Sequence, residues 1–350
     1  MDYLKSNSQN PKILLVKLSS LGDVLHNLPI IWDLRRRLPH AQIDWVVEEG
    51  YVNLLTPLLS KDDFKGIDRI IPFGLRHWKK ELFSLSTWRQ FFAFKALLQT
   101  VSYDIVIETQ GLLKSALVCA LAKKSPDALV AGLANATEFS GYEPLARLFY
   151  SQSVWVPTRS HAVDRSRHVI CSALDWPLLE RSSAPQFYLD EYIQSLKLPA
   201  GSISERLIAP YVLCFHSTAR EAKRWPNSHW IALGKELASR GYQVVLPWGN
   251  LAEQAVSKEI AFQVPNALVP PAFSIEDAFG VIAGAELTIG VDTGLTHLAA
   301  VLKKPTVEIY CDSPLWKTEG YWSNNIRNVG DIQKPPTVAE VLQASFELLP

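Results

Sequence analysis

Short apolar runs alternate with helix-period stretches along almost the whole chain, and each run is closed by a glycine, proline, serine or acid. Runs without polar alternation suit strands buried on both faces, not strands with one wet side. Strand and helix in alternation imply parallel sheets with right-handed crossovers, because a parallel neighbour needs a long connection and a helix supplies it. In the first half the expected strands are Ile13–Leu18, Ile43–Val47, Arg69–Ile71, Ile105–Ile107, Leu129–Ala131 and Val154–Val156. Helices are expected between them at about 23–37, 86–102, 111–123 and 161–174. The second half repeats the rhythm with strands Val212–Phe215, Val244–Leu246, Leu287–Gly290 and Thr306–Tyr310, and helices near 227–240, 251–262, 274–284 and 294–303.

Between about Asp175 and Pro210 the rhythm stops, in a Pro- and Ser-rich stretch without a clear strand, which marks a domain boundary. The reading is an α/β chain of two halves of similar size, 1–180 and 181–336, with the linker counted in the second. After "KPPT" a last helix begins with a capping box, Thr337 to Glu340, and an apolar stripe of Val341, Leu342 and Phe346. This helix, 337–350, is available to pack back on the first domain.

Composition excludes some function classes. The formal net charge is zero, so no global field draws the protein to nucleic acid or to an anionic membrane, and any such attraction must come from a local patch. The start, "MDYLKSNSQNPK", is polar and unlike a signal peptide, and no window approaches the roughly 20 apolar residues of a membrane span. Cys119, Cys171, Cys214 and Cys311 lie far apart with no C-x-x-C pair, which reads as buried free thiols of a reducing cytoplasm and no metal site.

Ligands of open α/β sheets collect at the carboxyl ends of the strands. After the first strand comes Ser19-Ser20-Leu21-Gly22-Asp23, which lacks the G-x-G-x-x-G of dinucleotide binding. Asp23 is either a helix cap or a carboxylate held at the sheet mouth. After Val212–Phe215 comes "HSTAREAKRWP", where Ser217 and Thr218 offer hydroxyls and Arg220, Lys223 and Arg224 offer cations, as a phosphate needs. After Leu287–Gly290 comes "VDTGLTHLAA", where Asp292 or Thr293 caps a helix and Gly294 leaves room for an anion at its N-terminus. Together these two stretches point to a diphosphate ligand in the second half. Glu253, after "VVLPWGN", is either a ribose-binding acid or a first-turn helix acid. In "LRHWKKELF", Arg76, His77, Lys79 and Lys80 surround Trp78. That run is either a solvated face or, with an exposed Trp, a surface for an acidic, partly apolar acceptor near a membrane.

The segments "VKLSSLGDVLHNLP", "IDWVVEE", "YDIVIETQGLLKSA", "HAVDR", "LPWGN" and "VDTGLTHLAA" resemble glycosyltransferase family 9, the bacterial lipopolysaccharide heptosyltransferases. "WVVEE" and the basic Trp-containing run favour the type I enzymes over type II. The resemblance runs from about Lys12 to the last helix and implies a GT-B fold, two Rossmann-like domains facing a central cleft. It implies inverting transfer of L-glycero-D-manno-heptose from ADP-heptose to the first Kdo of Kdo2-lipid A, in lipopolysaccharide inner-core biosynthesis. The second domain would hold the donor and the first the acceptor, at the cytoplasmic face of the inner membrane. No nucleic acid partner is expected, nor any cofactor or obligatory metal, and the chain is expected to be a monomer.

By position, the resemblance makes Asp23 the general base and Lys223 the cation beside the donor diphosphate. It assigns Ser217, Thr218, Ala219, Glu253, Phe273, Asp292, Thr293, Gly294, Leu295 and His297 to the donor. Ser20, Gly22, Arg76, His77, Trp78, Lys79, Lys80 and Lys114 fall to the acceptor. Three positions depart from the family pattern: Tyr142 stands for an Arg, Phe273 for a Met near the adenine, and Ala219 for a Thr. Rival readings are a dehydrogenase, which the missing glycine fingerprint disfavours, a sugar-nucleotide-binding protein without catalysis, and a family 9 transferase with another sugar or acceptor, such as heptosyltransferase II.

Overall fold

The structure, a computed structural model, describes residues 10–61, 64–81, 83–177, 184–197, 203–272 and 274–350. The chain forms two compact units, one ending at Tyr188 and the other starting at Leu189. The first holds strands β1 (Lys12–Val16), β2 (Gln42–Glu48), β3 (Arg69–Phe73), β4 (Tyr103–Glu108), β5 (Lys124–Leu133) and β6 (Gln152–Val154). They pair in parallel in the order β3-β2-β1-β4-β5-β6. The second holds β7 (Tyr211–Phe215), β8 (Gln243–Val245), β9 (Leu287–Val291), β10 (Thr306–Tyr310) and β11 (Ile326–Gly330), parallel in the order β11-β10-β9-β7-β8.

The expected strands all appear, shifted by a few residues at their ends. Central strands such as β1, β7, β9 and β10 are buried almost throughout, as their unbroken apolar runs require. β11 was not expected: as an edge strand its residues are mostly half-buried, and "IRNVG" carries no apolar run to announce it. The expected helix at 23–37 is two helices, Leu21–Leu25 and Pro29–Arg37, because Pro29 fits the first turn of a helix and not an interior.

The last helix, Val338–Phe346, carries the expected capping box, with the Thr337 N–H and Oγ1 both donating to Glu340 at 2.7 Å. Its Val341 and Ala344 belong to the core that also holds Val307, Ile309, Leu233 and Leu237. The helix is therefore part of the second unit, a correction to its expected return to the first. Arg35, in the last turn of the helix Pro29–Arg37, is buried, with its guanidinium donating to the carbonyls of Gly66 and Ala41 and to Asp68.

The helix Ala162–Ala173 is fastened to Pro29–Arg37 by a forked ion pair. Arg167 Nε and Nη2 donate to the two oxygens of Asp33 at 2.7 and 3.0 Å, with both side chains buried. Removing the Asp33 carboxylate takes both of these charge-assisted bonds from a buried guanidinium, which costs about 3–5 kcal/mol. Asp33→Ala is therefore expected to lower the unfolding free energy of the first unit by that order, measured by equilibrium urea unfolding. A variant as stable as wild type would contradict the assignment.

Candidate functional site

Each sheet has one place where neighbouring strands send their connections in opposite directions, opening a crevice at the carboxyl ends. In the first sheet it lies between β1 and β4, and in the second between β7 and β9. The candidate residues gather at these two points.

At the first, Ser20 caps the short helix Leu21–Leu25 and Gly22 lies in its first turn. The Asp23 carboxylate reaches back from that turn: its Oδ2 accepts from the Ser20 N–H at 3.1 Å and Oγ at 2.9 Å. Its Oδ1 lies 3.7 Å from Lys17 Nζ, and Lys17 is buried while Asp23 keeps 46% of its side chain exposed. Capping and catalysis are thus not exclusive, since one oxygen fixes the turn while the group remains open to a ligand. Burial pushes the Asp23 carboxyl up, but Lys17, the Ser20 bonds and Arg165 outweigh it and hold it below the usual carboxylate range. Burial pulls Lys17 down, opposed by Asp23. The result is a carboxylate ionised throughout the physiological range.

Behind Asp23 lies a buried polar layer. Gln110 Oε1 accepts from the Leu18 N–H at 2.9 Å, and Gln110 Nε2 donates to Ser19 Oγ. Glu108, fully buried, accepts from the N–H groups of Gln110 and Gly111 and from the Tyr150 hydroxyl. Arg165 donates to the Gln110 carbonyl at 3.1 Å and leaves its Nε without a partner. Lys114 bridges Ser19 Oγ and Glu48, each at 3.0 Å, and Arg76 pairs with the other Glu48 oxygen at 2.6 Å.

The acceptor-side expectation is corrected in one respect. Trp78 is buried, not exposed: its indole donates to Gln90 and packs edge-on against Phe73 and Phe91. The helix Leu75–Trp78 is too short to hold itself, and this ring anchors it. His77, Lys79 and Lys80 are exposed around it, whereas Arg76 is drawn to Glu48. Tyr142 spends its hydroxyl on the Ala134 carbonyl at 2.7 Å.

At the second crevice Lys223 Nζ donates to Asp292 Oδ2 at 2.5 Å. Asp292 Oδ1 meets His297 Nε2 at 2.8 Å, and His297 Nδ1 meets Glu308 Oε1 at 2.9 Å. Glu308 is completed by the Tyr310 hydroxyl and the Gly320 N–H. Charge alternates along this chain. Burial disfavours the His297 cation, but Glu308 and Asp292 raise its pKa to about 10, so it is an imidazolium at neutral pH. Burial pushes the Asp292 carboxyl up, but His297 and Lys223 outweigh it and hold it well below the usual range. Because His297 also neutralises Asp292, the Lys223 ammonium can turn toward a ligand without stranding a bare carboxylate.

Thr293 caps the helix Gly294–Val301, so the backbone N–H groups of Gly294 and the half-buried Leu295 lie in its first turn beside Asp292. The β7 loop continues through His216, Ser217, Thr218 and Ala219, which with Glu253 and Asn250 line a pocket of ≈ 310 Å³. His216 is pushed down to about 4 by burial and by Arg224, and its neutral ring bridges Ser257 and Ser217. Trp225, buried and bonded to the Pro336 carbonyl, anchors the end of the Lys223 loop. The Glu253 carboxylate currently accepts from the Gly249 N–H at 2.7 Å. Phe273 lies outside the described residues.

Sequence reasoning missed Lys17, Glu48, Glu108, Gln110, Arg165 and Glu308. Most of these lie at strand ends or in stretches already singled out, and a polar residue closing an apolar run was the available signal. Among the described residues no group of three His, Cys, Asp or Glu side chains could hold a metal ion.

The sequence profile described as "Glycosyltransferase family 9 (heptosyltransferase)" matches residues 91–345. A relative from Pseudomonas aeruginosa named lipopolysaccharide heptosyltransferase 1 is 40% identical over 302 residues, 85% of this chain and 78% of its own. The solved structure "E. coli heptosyltransferase WaaC with ADP" superposes with a TM-score of 0.80 at 31% identity, covering 96% of this chain and 99% of that one. The same enzyme "with ADP-2-deoxy-2-fluoro heptose" gives 0.74 at 30% identity, covering 96% and 98%. The GT-B type of α/β fold expected from the resemblance is the one found.

The His297 chain makes a pH prediction. A histidine whose folded pKa is raised stabilises fully below its unfolded pKa of about 6.5 and loses that contribution as pH rises toward the folded value. The stability advantage of wild type over Glu308→Gln should thus be largest below about pH 6.5 and narrow as pH approaches 10, followed by thermal unfolding. An advantage that does not change with pH would contradict the charge chain.

Proposed function

The chain belongs to glycosyltransferase family 9, and from that membership we propose that it transfers L-glycero-D-manno-heptose from ADP-heptose to the first Kdo of Kdo2-lipid A, with inversion at the anomeric carbon. The observation that carries this reading is the Lys223–Asp292–His297–Glu308 charge chain at the β7/β9 crevice, beside a helix N-terminus and a pocket reaching Glu253. The relative named heptosyltransferase 1 and the solved ADP complex support the sugar nucleotide and the type I assignment.

In this proposal the Kdo hydroxyl oxygen attacks the anomeric carbon as the bond to the ADP oxygen breaks, and the bonding electrons leave with ADP. Lys223 and the N–H groups at Gly294 and Leu295 counter the charge on the leaving diphosphate. Glu253 turns from the Gly249 N–H to the ribose hydroxyls. Asp23 takes the hydroxyl proton. Its depressed pKa makes it a weak base, which fits an oxocarbenium-like transition state: the proton leaves only once the new bond has made it acidic. A lysine and a helix dipole do the electrostatic work, so no metal is required.

The acceptor would lie over Ser20, Gly22 and Lys114, with Arg76, His77, Lys79 and Lys80 at its anionic end. No helix among the described residues is long and apolar enough to cross a membrane, and we place the enzyme peripherally at the cytoplasmic face of the inner membrane, where such an acceptor resides.

The test is release of ADP by the purified protein given ADP-heptose and delipidated Kdo2-lipid A, with and without EDTA. Release is expected in both conditions. Asp23→Asn should bind ADP normally and turn over roughly 10²–10⁴-fold more slowly. Turnover near wild type in that variant removes Asp23 from the chemistry, and release that needs another acceptor points to a different family 9 activity.

A further inference from the structure

The first unit carries an apolar face that the transfer chemistry does not use. Phe83 is 100% exposed, Leu85 77%, Trp88 53% and Phe92 58%. On the helix Leu85–Leu98, the inward face is Thr87, Phe94 and Leu98, all buried. Leu85, Trp88 and Phe92 recur at i, i+3 and i+7 and share a different, outward face. The ring of Trp88 lies 6.1 and 6.2 Å from those of Phe91 and Phe92, so these three aromatics form one patch. Beside it runs an apolar groove of ≈ 730 Å³ lined by Trp78, Trp88, Phe91, Leu113, Leu117 and Leu121. So much contiguous exposed apolar surface marks an interaction site.

Its charge names the partner. Residues 75–98 hold five Lys or Arg against a single acid, Glu81, in a chain whose net charge is zero. Arg76 is taken by Glu48, but among the described residues no acid pairs with Lys79, Lys80 or Arg89, all exposed. Lys79 and Lys114 stand at the groove. Glu143 also lines it, and its carboxylate is held by the Leu113 N–H. A second copy of the same face would bring like charge to like charge, which disfavours self-association. Aromatic rings flanked by cations are what the boundary of an anionic bilayer accommodates, with rings at headgroup depth and cations at the phosphates.

We propose that this face docks the enzyme onto an anionic bilayer, with the helix Leu85–Leu98 lying in the plane of the surface. The contact needs neither donor nor acceptor; its cations Lys79, Lys80 and Lys114 adjoin the acceptor side, whereas Phe83, Trp88, Phe92 and Arg89, which the variants below change, were not assigned to the active site.

Co-sedimentation tests it, using vesicles of phosphatidylcholine alone and of phosphatidylcholine with phosphatidylglycerol in equal parts. Wild type should bind the mixed vesicles at least about tenfold tighter than the neutral ones, since each cation near such a surface contributes roughly fivefold. The triple variant Phe83→Ser/Trp88→Ser/Phe92→Ser should lose vesicle binding while its transfer to the delipidated acceptor stays within about twofold. Arg89→Glu, a milder change at an exposed site, should weaken binding to mixed vesicles only. The proposal is overturned if wild type does not bind mixed vesicles, or if both variants bind them as wild type does. It is equally overturned if sedimentation equilibrium shows a wild-type dimer that the triple variant abolishes. No substrate enters the vesicle assay, so its result and that of the transfer assay stand independently.

Discussion

A carboxylate at the open end of a parallel sheet is needed in its charged form, yet the strands beside it remove the water that would stabilise that charge. Both units meet this constraint by placing a cation against the carboxylate. In the first, Lys17 lies under Asp23 and two Ser20 bonds complete it. In the second, Asp292 has Lys223 on one oxygen and His297 on the other, with Glu308 beyond. Pairs of this kind add little net stability, because desolvation cancels much of the attraction. What they supply is orientation and a fixed protonation state.

The topology makes these pairings possible. Orders of the kind β3-β2-β1-β4 and β10-β9-β7-β8 leave one gap per sheet where crossovers diverge. Lys17 follows β1, Glu108 ends β4, and Val16 is in register with Glu108, so the buried cation and acids share one layer. In the second sheet Asp292 follows β9 directly, whereas Lys223 arrives on a loop anchored by Trp225. Asp33 and Arg167 hold the helix Ala162–Ala173, which carries Arg165 up to Gln110.

Much of this was legible from the chain, for physical reasons. Buried parallel strands need unbroken apolar runs, so ten of the eleven described strands announced themselves, and β11 did not because an edge strand need not be apolar. Asp23, Lys223 and Asp292 were visible as polar residues following such runs. Trp78 was misread because local spacing cannot tell an indole that anchors a short helix from one that faces solvent, and its contacts come from Phe91 and Phe94, more than a dozen residues away. Exposed aromatics do exist nearby, at Phe83, Trp88 and Phe92. Glu308 and Lys17 were hidden for the opposite reason: each sits within or against a strand, and its partner is fixed only by tertiary contact.

The central claim is that the charge at the β7/β9 crevice exists to hold a nucleotide diphosphate. Calorimetric titration of ADP into wild type and Lys223→Gln tests it most directly. Losing one charge-assisted bond is worth about 1.5–3 kcal/mol, so the variant should bind ADP roughly 10–100-fold more weakly. An unchanged dissociation constant in a folded Lys223→Gln protein would contradict the account.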